Sequence, residues 1–171
     1  MGCPHYAQHA LVPGLRKQCP GKVGALVYLT SSLERDCQMH KPRVLLADDH
    51  PNMLRMVENI LEPMFEVVGK VADGKSLLEA AEKLDPDLIV TDISMPILNG
   101  IEAVKNLKES GSRAKVVFLT VHADIEFVKI CFEAGASGYV LKPQMDTDLL
   151  FAIRAALAEH SFTSRNLTYR N

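Results

Sequence analysis

A small set of side chains in this sequence could do chemistry together. Asp48-Asp49 closes the apolar run Val44-Leu45-Leu46-Ala47, and Asp92 closes Leu88-Ile89-Val90-Thr91. Thr120 closes Val116-Val117-Phe118-Leu119, and Lys142 closes Tyr139-Val140-Leu141. A short apolar run bounded by turn signals reads as a buried strand, so each polar group stands at a strand's carboxyl end. Each also has an ordinary use. Asp49 can cap the helix that follows, Asp92 can form a turn, Thr120 suits a strand as a β-branched residue, and Lys142 can be a solvated charge. Their joint occurrence favours a shared site, because the carboxyl ends of parallel strands open on one rim, where ligands gather.

Electrostatics narrows what such a rim would hold. Two carboxylates about 5 Å apart repel by about 3 kcal/mol at an effective dielectric near 20. Three of them require a cation or a raised pKa. A hard divalent ion with oxygen ligands meets that need, and Mg²⁺ suits a site with few carboxylates and several waters. A lysine adds a point charge and a hydroxyl adds a donor. This set fits phosphoryl transfer, where catalysis is positioning plus charge neutralisation. No Ser/His/Asp or Cys/His arrangement competes with it.

The elements that must position these groups follow from the pattern between residues 43 and 159. Strands are expected at Val44–Ala47, Phe65–Ala72, Leu88–Thr91, Val116–Leu119 and Tyr139–Leu141. Between and after them run amphipathic stretches with helical spacing. The first opens at Pro51, a favoured first helical position, and carries Leu54, Val57, Ile60, Leu61 and Met64. The others carry Leu77, Leu78, Ala81 and Leu84; Ile101, Val104 and Leu107; Ile125, Val128, Cys131 and Phe132; and Leu149, Leu150, Ile153 and Leu157. Strand–helix alternation implies right-handed crossovers and a parallel sheet covered on both faces. The scarcity of period-two alternation in the strands agrees.

Length and composition bound the rest. A chain of 171 residues with 47% hydrophobic and 23% charged residues is ordinary for one globular domain. Charge is unevenly placed. Residues 1–42 hold five Lys/Arg against two Asp/Glu, and residues 43–159 hold twelve against nineteen. An acidic body is a poor binder of polyanions, so direct nucleic-acid contact by it is not expected. Cys3, Cys19, Cys37 and Cys131 include no C-x-x-C pair, which favours a reducing, cytoplasmic setting. The run Val23–Leu29 is too short to span a bilayer, and no A-x-A site follows it. Residues 1–42, with Pro4, Pro13, Pro20 and Pro42, read as a poorly ordered extension with at most a helical turn or two near Leu26–Arg35. Their Cys3, His5, His9, Cys19, Cys37 and His40 match no zinc spacing.

With these residues in view, the chain strongly resembles the receiver domain of bacterial two-component response regulators. The matching pieces are Val44–Asp49, Asp87–Gly100 with its D-x-x-M-P-x-x-x-G ending, Val116–His122 and Gly135–Pro143. The resemblance covers residues 43–159 and leaves 160–171 as a tail or truncated linker. It implies a flavodoxin-like (βα)5 doubly wound α/β fold with strand order 2-1-3-4-5. It makes Asp92 the acceptor of a phosphoryl group from the phosphohistidine of a sensor histidine kinase or a histidine phosphotransfer protein. It assigns Mg²⁺ to Asp48, Asp49, Asp92 and the backbone carbonyl of Ser94, with Asp48 acting mostly through water. Thr120 and Lys142 would hold phosphoryl oxygens, and Tyr139 would be the aromatic rotamer that follows Thr120. Ser94 and His122 would tune dephosphorylation, and Lys142-Pro143 would be a cis peptide. A phosphorylation-dependent homodimer through the fourth helix, fifth strand and fifth helix is implied as well. Such a domain is a phosphoacceptor rather than a turnover enzyme.

Two departures accompany the resemblance. Val121 stands where many receivers have a small residue, which implies narrower access to the acceptor. The LuxR-type helix-turn-helix that often follows such receivers is not among the residues present. A stand-alone receiver and a fragment of a DNA-binding regulator are both open. A different class also has literal support, since Gly69-Lys70-Val71-Ala72-Asp73-Gly74-Lys75-Ser76 satisfies the P-loop pattern of nucleotide hydrolases. That reading leaves Asp48-Asp49, Thr120 and Lys142 unused and lays the loop across expected strand residues. A receiver acting purely as an interaction module is disfavoured, because every residue of the phosphoryl site is present.

Overall fold

Short apolar runs alternating with helical stretches leave the chain one economical solution, a central sheet with helices on both faces. The computed structural model describes residues 41–168. Its first five strands are β1 (Arg43–Ala47), β2 (Glu66–Val71), β3 (Leu88–Thr91), β4 (Lys115–Thr120) and β5 (Gly138–Leu141). They alternate with α1 (Pro51–Leu61), α2 (Gly74–Leu84), α3 (Gly100–Glu109), α4 (Ile125–Glu133) and α5 (Met145–Leu157). Local chemistry starts the helices. Pro51 opens α1. The side chains of Asp73, Asn99 and Asp124 accept from the amides of Ser76, Glu102 and Glu126, capping α2, α3 and α4. Gly135, at φ +101°, turns the chain out of α4 in a conformation that costs glycine little.

All pairings in the sheet are parallel, and the strand order is β2-β1-β3-β4-β5 with a sixth strand beyond. The register fixes the functional rim. Ala47 pairs with Thr91, so Asp48 and Asp92 each lie one residue past a paired position on neighbouring strands. Thr120 pairs with Leu141, which puts Lys142 one residue beyond the end of β5. Successive strand residues face opposite ways, and the core divides accordingly. Leu45, Ile89, Val116, Phe118 and Tyr139 pack with Leu77, Val104 and Val128 of α2, α3 and α4. Val44, Leu88, Val90, Val117 and Val140 pack with Val57 and Leu61 of α1 and with Leu149 and Ile153 of α5.

The structure changes two expectations and closes one alternative. The stretch from His160 is not a simple tail, because β6 (Phe162–Thr163) adds in parallel to the outer edge of β5, and Asp124 forms a bridge with Thr168 further on. An uncovered parallel edge exposes unpaired amides and carbonyls, and this stretch pairs some of them. The expected cis peptide at Pro143 is corrected as well: no peptide bond among the described residues is cis. Lys142–Gln144 is instead a single 3-10 turn leading into α5. Pro143 fits there in the cheaper trans form, because its fixed φ suits a first helical turn that needs no amide from it. Finally, Gly69–Ser76 is no phosphate loop. Gly69 to Val71 lie in β2, the Gly74 amide donates to the Leu98 carbonyl, and Asp73 takes both the amide and the hydroxyl of Ser76. The Gly74 and Ser76 amides and the Ser76 hydroxyl, three donors a phosphate loop would need, are already used. Residues 1–40 and 169–171, with the metal-ligand residue types and helical turns considered near the N-terminus, lie outside the described residues. Pro42 belongs with the sheet, accepting from the Glu66 amide.

A Cβ on Gly100 would collide with the Asp92 carbonyl oxygen, a backbone atom that cannot swing aside. Gly111, at φ +85°, has open space around it and only its backbone conformation to defend. Gly100→Ala is expected to destabilise by about 3 kcal/mol, and Gly111→Ala by about 1 kcal/mol. Urea unfolding midpoints of the two variants check the order.

Candidate functional site

The site is built where β1 and β3 run out. The Asp92 amide donates to the Ala47 carbonyl at 2.9 Å and the Asp48 amide to Val71 at 3.1 Å, so ladder bonds hold both backbones beyond the last paired residues. Asp48 and Asp92 are each only 4% exposed. Buried carboxylates must have their oxygens satisfied. Asp48 Oδ1 accepts from the His50 amide at 2.8 Å, and Asp92 Oδ1 accepts from the Ile93 amide at 2.6 Å. The remaining oxygens share one cation: Lys142 Nζ lies 2.7 Å from Asp48 Oδ2 and 2.7 Å from Asp92 Oδ2.

Burial alone would pull the Lys142 ammonium below its usual pKa, but its bonds to Asp48 and Asp92 outweigh that and hold it above. One ammonium between two buried carboxylates leaves a negative charge uncompensated. Asp49, adjacent and more exposed, adds another and makes its contact with His50 Nδ1 at 2.7 Å. An oxygen-rich, net negative pocket of this kind suits a hard divalent cation. Ligand atoms of Asp48, Asp49 and His50 lie within 4.8 Å of one another. His50 did not enter the expected metal set, although it directly follows the acidic pair.

The other expected residues fall into a second cluster on the same rim. Thr120 is fully buried at the end of β4, and its Oγ1 accepts from the His122 amide at 3.3 Å. The Tyr139 hydroxyl donates to the His122 carbonyl at 2.7 Å, with the ring wholly inside the core. Burial pushes the Tyr139 hydroxyl pKa up, so it remains a donor. The His122 ring stacks on Phe127 at 4.4 Å, and its Nε2 lies 2.9 Å from Ser94 Oγ. Ser94 and His122, named together by the resemblance, form a pair that joins the loops after β3 and β4. Val121 is 63% exposed, so much of its bulk stands in solvent. Sequence reasoning also missed Ile97. It sits at φ +68°, a rare conformation for a β-branched residue, and is 80% exposed. Its turn carries the Leu98 amide onto the Pro96 carbonyl, and nothing in the residue type announces that.

Comparison with known proteins agrees with this fold. Residues 44–154 match the family described as Response regulator receiver domain. The chain is 39% identical over 122 residues to the transcriptional regulatory protein DegU of Brevibacillus brevis, covering 70% of this chain and 51% of DegU. It is 36% identical over 115 residues to the chemotaxis protein CheY of Halobacterium salinarum, covering 67% of this chain and 96% of CheY. Among solved structures, a LuxR-family two-component response regulator from Aurantimonas superposes with a TM-score of 0.71 at 32% identity. That match covers 74% of this chain and 92% of the other. The chain belongs to the response regulator receiver family and is a two-component signalling domain. It spans about half the length of DegU.

Removing the ammonium would leave Asp48 and Asp92 buried without their shared partner. Lys142→Met is expected to cost about 3 kcal/mol near neutral pH without added metal. Because the folded pKa of Lys142 is raised, its contribution is fully present below the unfolded value of 10.5 and is lost as pH rises through the folded value. The gap between wild type and Lys142→Met in urea midpoint should therefore narrow above about pH 10.5.

Proposed function

We propose that this domain accepts a phosphoryl group on Asp92 from the phosphohistidine of a sensor histidine kinase or a histidine phosphotransfer protein. The observation that carries the reading is the Lys142 ammonium shared at 2.7 Å between Asp48 and Asp92. A carboxylate held by one amide and one ammonium on a sheet rim is oriented for attack, with a cation beside the charge that develops. An Asp92 oxygen bonds to phosphorus as the phosphorus–nitrogen bond breaks, and the imidazole leaves with that electron pair and takes up a proton. Lys142 and the Thr120 hydroxyl then hold phosphoryl oxygens.

The donor set fits Mg²⁺, which Asp48, Asp49, Asp92 and the Ser94 backbone carbonyl would hold; its contribution there is charge neutralisation among carboxylates and phosphoryl oxygens. Ser94 and His122, paired across the mouth of the site, set the rate at which water reaches the acyl phosphate. When Thr120 turns toward the phosphoryl group, the His122 amide loses its acceptor, and Tyr139 follows into the vacated space. This is a two-state switch biased by one covalent event. Ile130 of α4 and Phe151 of α5, 40% and 64% exposed, favour pairing of phosphorylated copies through the α4–β5–α5 side. Cys131, a free buried thiol with its pKa pushed up to about 12 by burial, suits a reducing cytoplasm. No helix among the described residues is long and apolar enough to cross a membrane.

Intact-mass measurement after incubation with acetyl phosphate and Mg²⁺ tests the assignment. One phosphoryl adduct is expected, not formed when the metal is chelated beforehand and absent in Asp92→Asn. An adduct that survives in that variant would falsify the role of Asp92.

A further inference from the structure

The turn that carries Lys142 is fastened from outside the five-strand unit. Ser164, just beyond β6, is 1% exposed, and its hydroxyl makes two bonds. It donates to Asp148 Oδ2 at 2.6 Å and accepts from the Leu141 amide at 3.2 Å. Leu141 immediately precedes Lys142, and Asp148 lies in the first turns of α5. One hydroxyl thus ties together both ends of the segment 141–148 that contains the 3-10 turn Lys142–Gln144.

The placement of Ser164 does not depend on its own side chain. The Phe162 amide donates to Ser137 at 3.2 Å and the Ser164 amide to Tyr139 at 2.9 Å, continuing the parallel ladder along β5. Downstream, the Thr168 amide donates to Ala123 at 2.7 Å and the Ile125 amide to Thr168 at 3.0 Å. At the end of the ladder the serine hydroxyl supplies the acceptor for the Leu141 amide. A buried amide left without an acceptor shifts to find one, and Leu141 is directly bonded to the residue whose ammonium must stay between Asp48 and Asp92.

We propose that Ser164 is a positioning residue for phosphoryl transfer, acting through the Leu141–Lys142 backbone to hold the Lys142 ammonium between Asp48 and Asp92. The proposal rests on the reading of Asp92 and Lys142 given above and extends it to a residue outside the segment that matches the family. Removal of the hydroxyl leaves Lys142 chemically intact but lets its turn drift. A displacement of about 1 Å at a reacting group can cost up to about a hundredfold in rate.

The test uses the full chain and two variants, Ser164→Ala and Ser164→Thr, at a temperature where circular dichroism shows all three folded. The first readout is the rate of adduct formation with saturating acetyl phosphate and Mg²⁺, and the second is the Lys142 ammonium resonance in ¹⁵N-edited NMR. In Ser164→Ala the saturated rate is expected to fall about tenfold, as does the fraction of molecules with a correctly seated lysine. The Lys142 resonance should shift or broaden, and Ser164→Thr, which keeps the hydroxyl, should restore both. A general loss of stability would lower the melting temperature without moving either readout. Wild-type rate and an unmoved resonance in Ser164→Ala would overturn the proposal, as would failure of folded Ser164→Thr to recover what Ser164→Ala loses. If wild type itself forms no adduct, the reading of Asp92 fails instead, and the resonance alone still decides whether Ser164 holds Lys142.

Discussion

Charge repulsion at the sheet rim is the constraint around which this molecule is arranged. Two carboxylates on neighbouring strands, each 4% exposed, can be kept there only if something positive lies between them. The chain supplies it from the turn after β5, through the Lys142 ammonium. The strand order makes this possible. With β1 beside β3, and β4 and β5 following on the same side, the groups at their carboxyl ends fall along one edge of the sheet. The same repulsion would make the proposed site responsive. A pocket whose charge is incompletely balanced at rest changes its internal forces when a dianionic group or a divalent cation enters it, and a fully neutralised pocket would have less reason to rearrange.

The route by which such a change could travel is short and made of ordinary bonds. The His122 peptide is held by two side chains from the protein interior, Thr120 at its amide and Tyr139 at its carbonyl. The Thr120 contact, at 3.3 Å, is long for a hydrogen bond, whereas the Tyr139 contact, at 2.7 Å, is short. An acceptor that draws the Thr120 hydroxyl toward the rim therefore loosens the weaker of the two contacts first. The next residue, Ala123, is tied to Thr168, so the loop after β4 is also connected to the strap that carries Ser164. Both rim elements that would touch a phosphoryl group, the ends of β4 and β5, are thus linked to the same C-terminal stretch.

Much of this is legible in the residues alone, and the parts that are not share a physical character. The strands and their polar ends could be read because burial on both faces demands uninterrupted apolar runs, and polar residues at their ends stand out against them. Asp92 and Lys142 announced themselves in that way. Ser94 and His122 could be placed through resemblance, but not their direct contact, which depends on how two loops approach each other. β6 left almost no trace: it is two residues long, and Phe162-Thr163 has no pattern that distinguishes an edge strand from a polar tail. Ile97 was invisible because its type argues against the conformation it adopts. The conformation at Pro143 was misread because resemblance supplied a cis bond where the local sequence was equally compatible with the start of a helix.

The hidden strand alters how the edge of the sheet should be regarded. A parallel sheet ending at β5 would present free amides and carbonyls beside the two helices, α4 and α5, that flank the end of the chain of contacts from the rim. Here β6 takes some of those groups, and Ser164 uses its hydroxyl where the ladder stops. Any partner approaching this side therefore meets side chains such as Phe151 alongside a covered edge, rather than a strand ready for backbone pairing. Recognition at that side must depend on the shape and chemistry of the helices and the strap. The strap is bonded to α5 at Asp148 and to the end of β5 at Leu141, so this surface and the rim share one hydrogen-bonded framework.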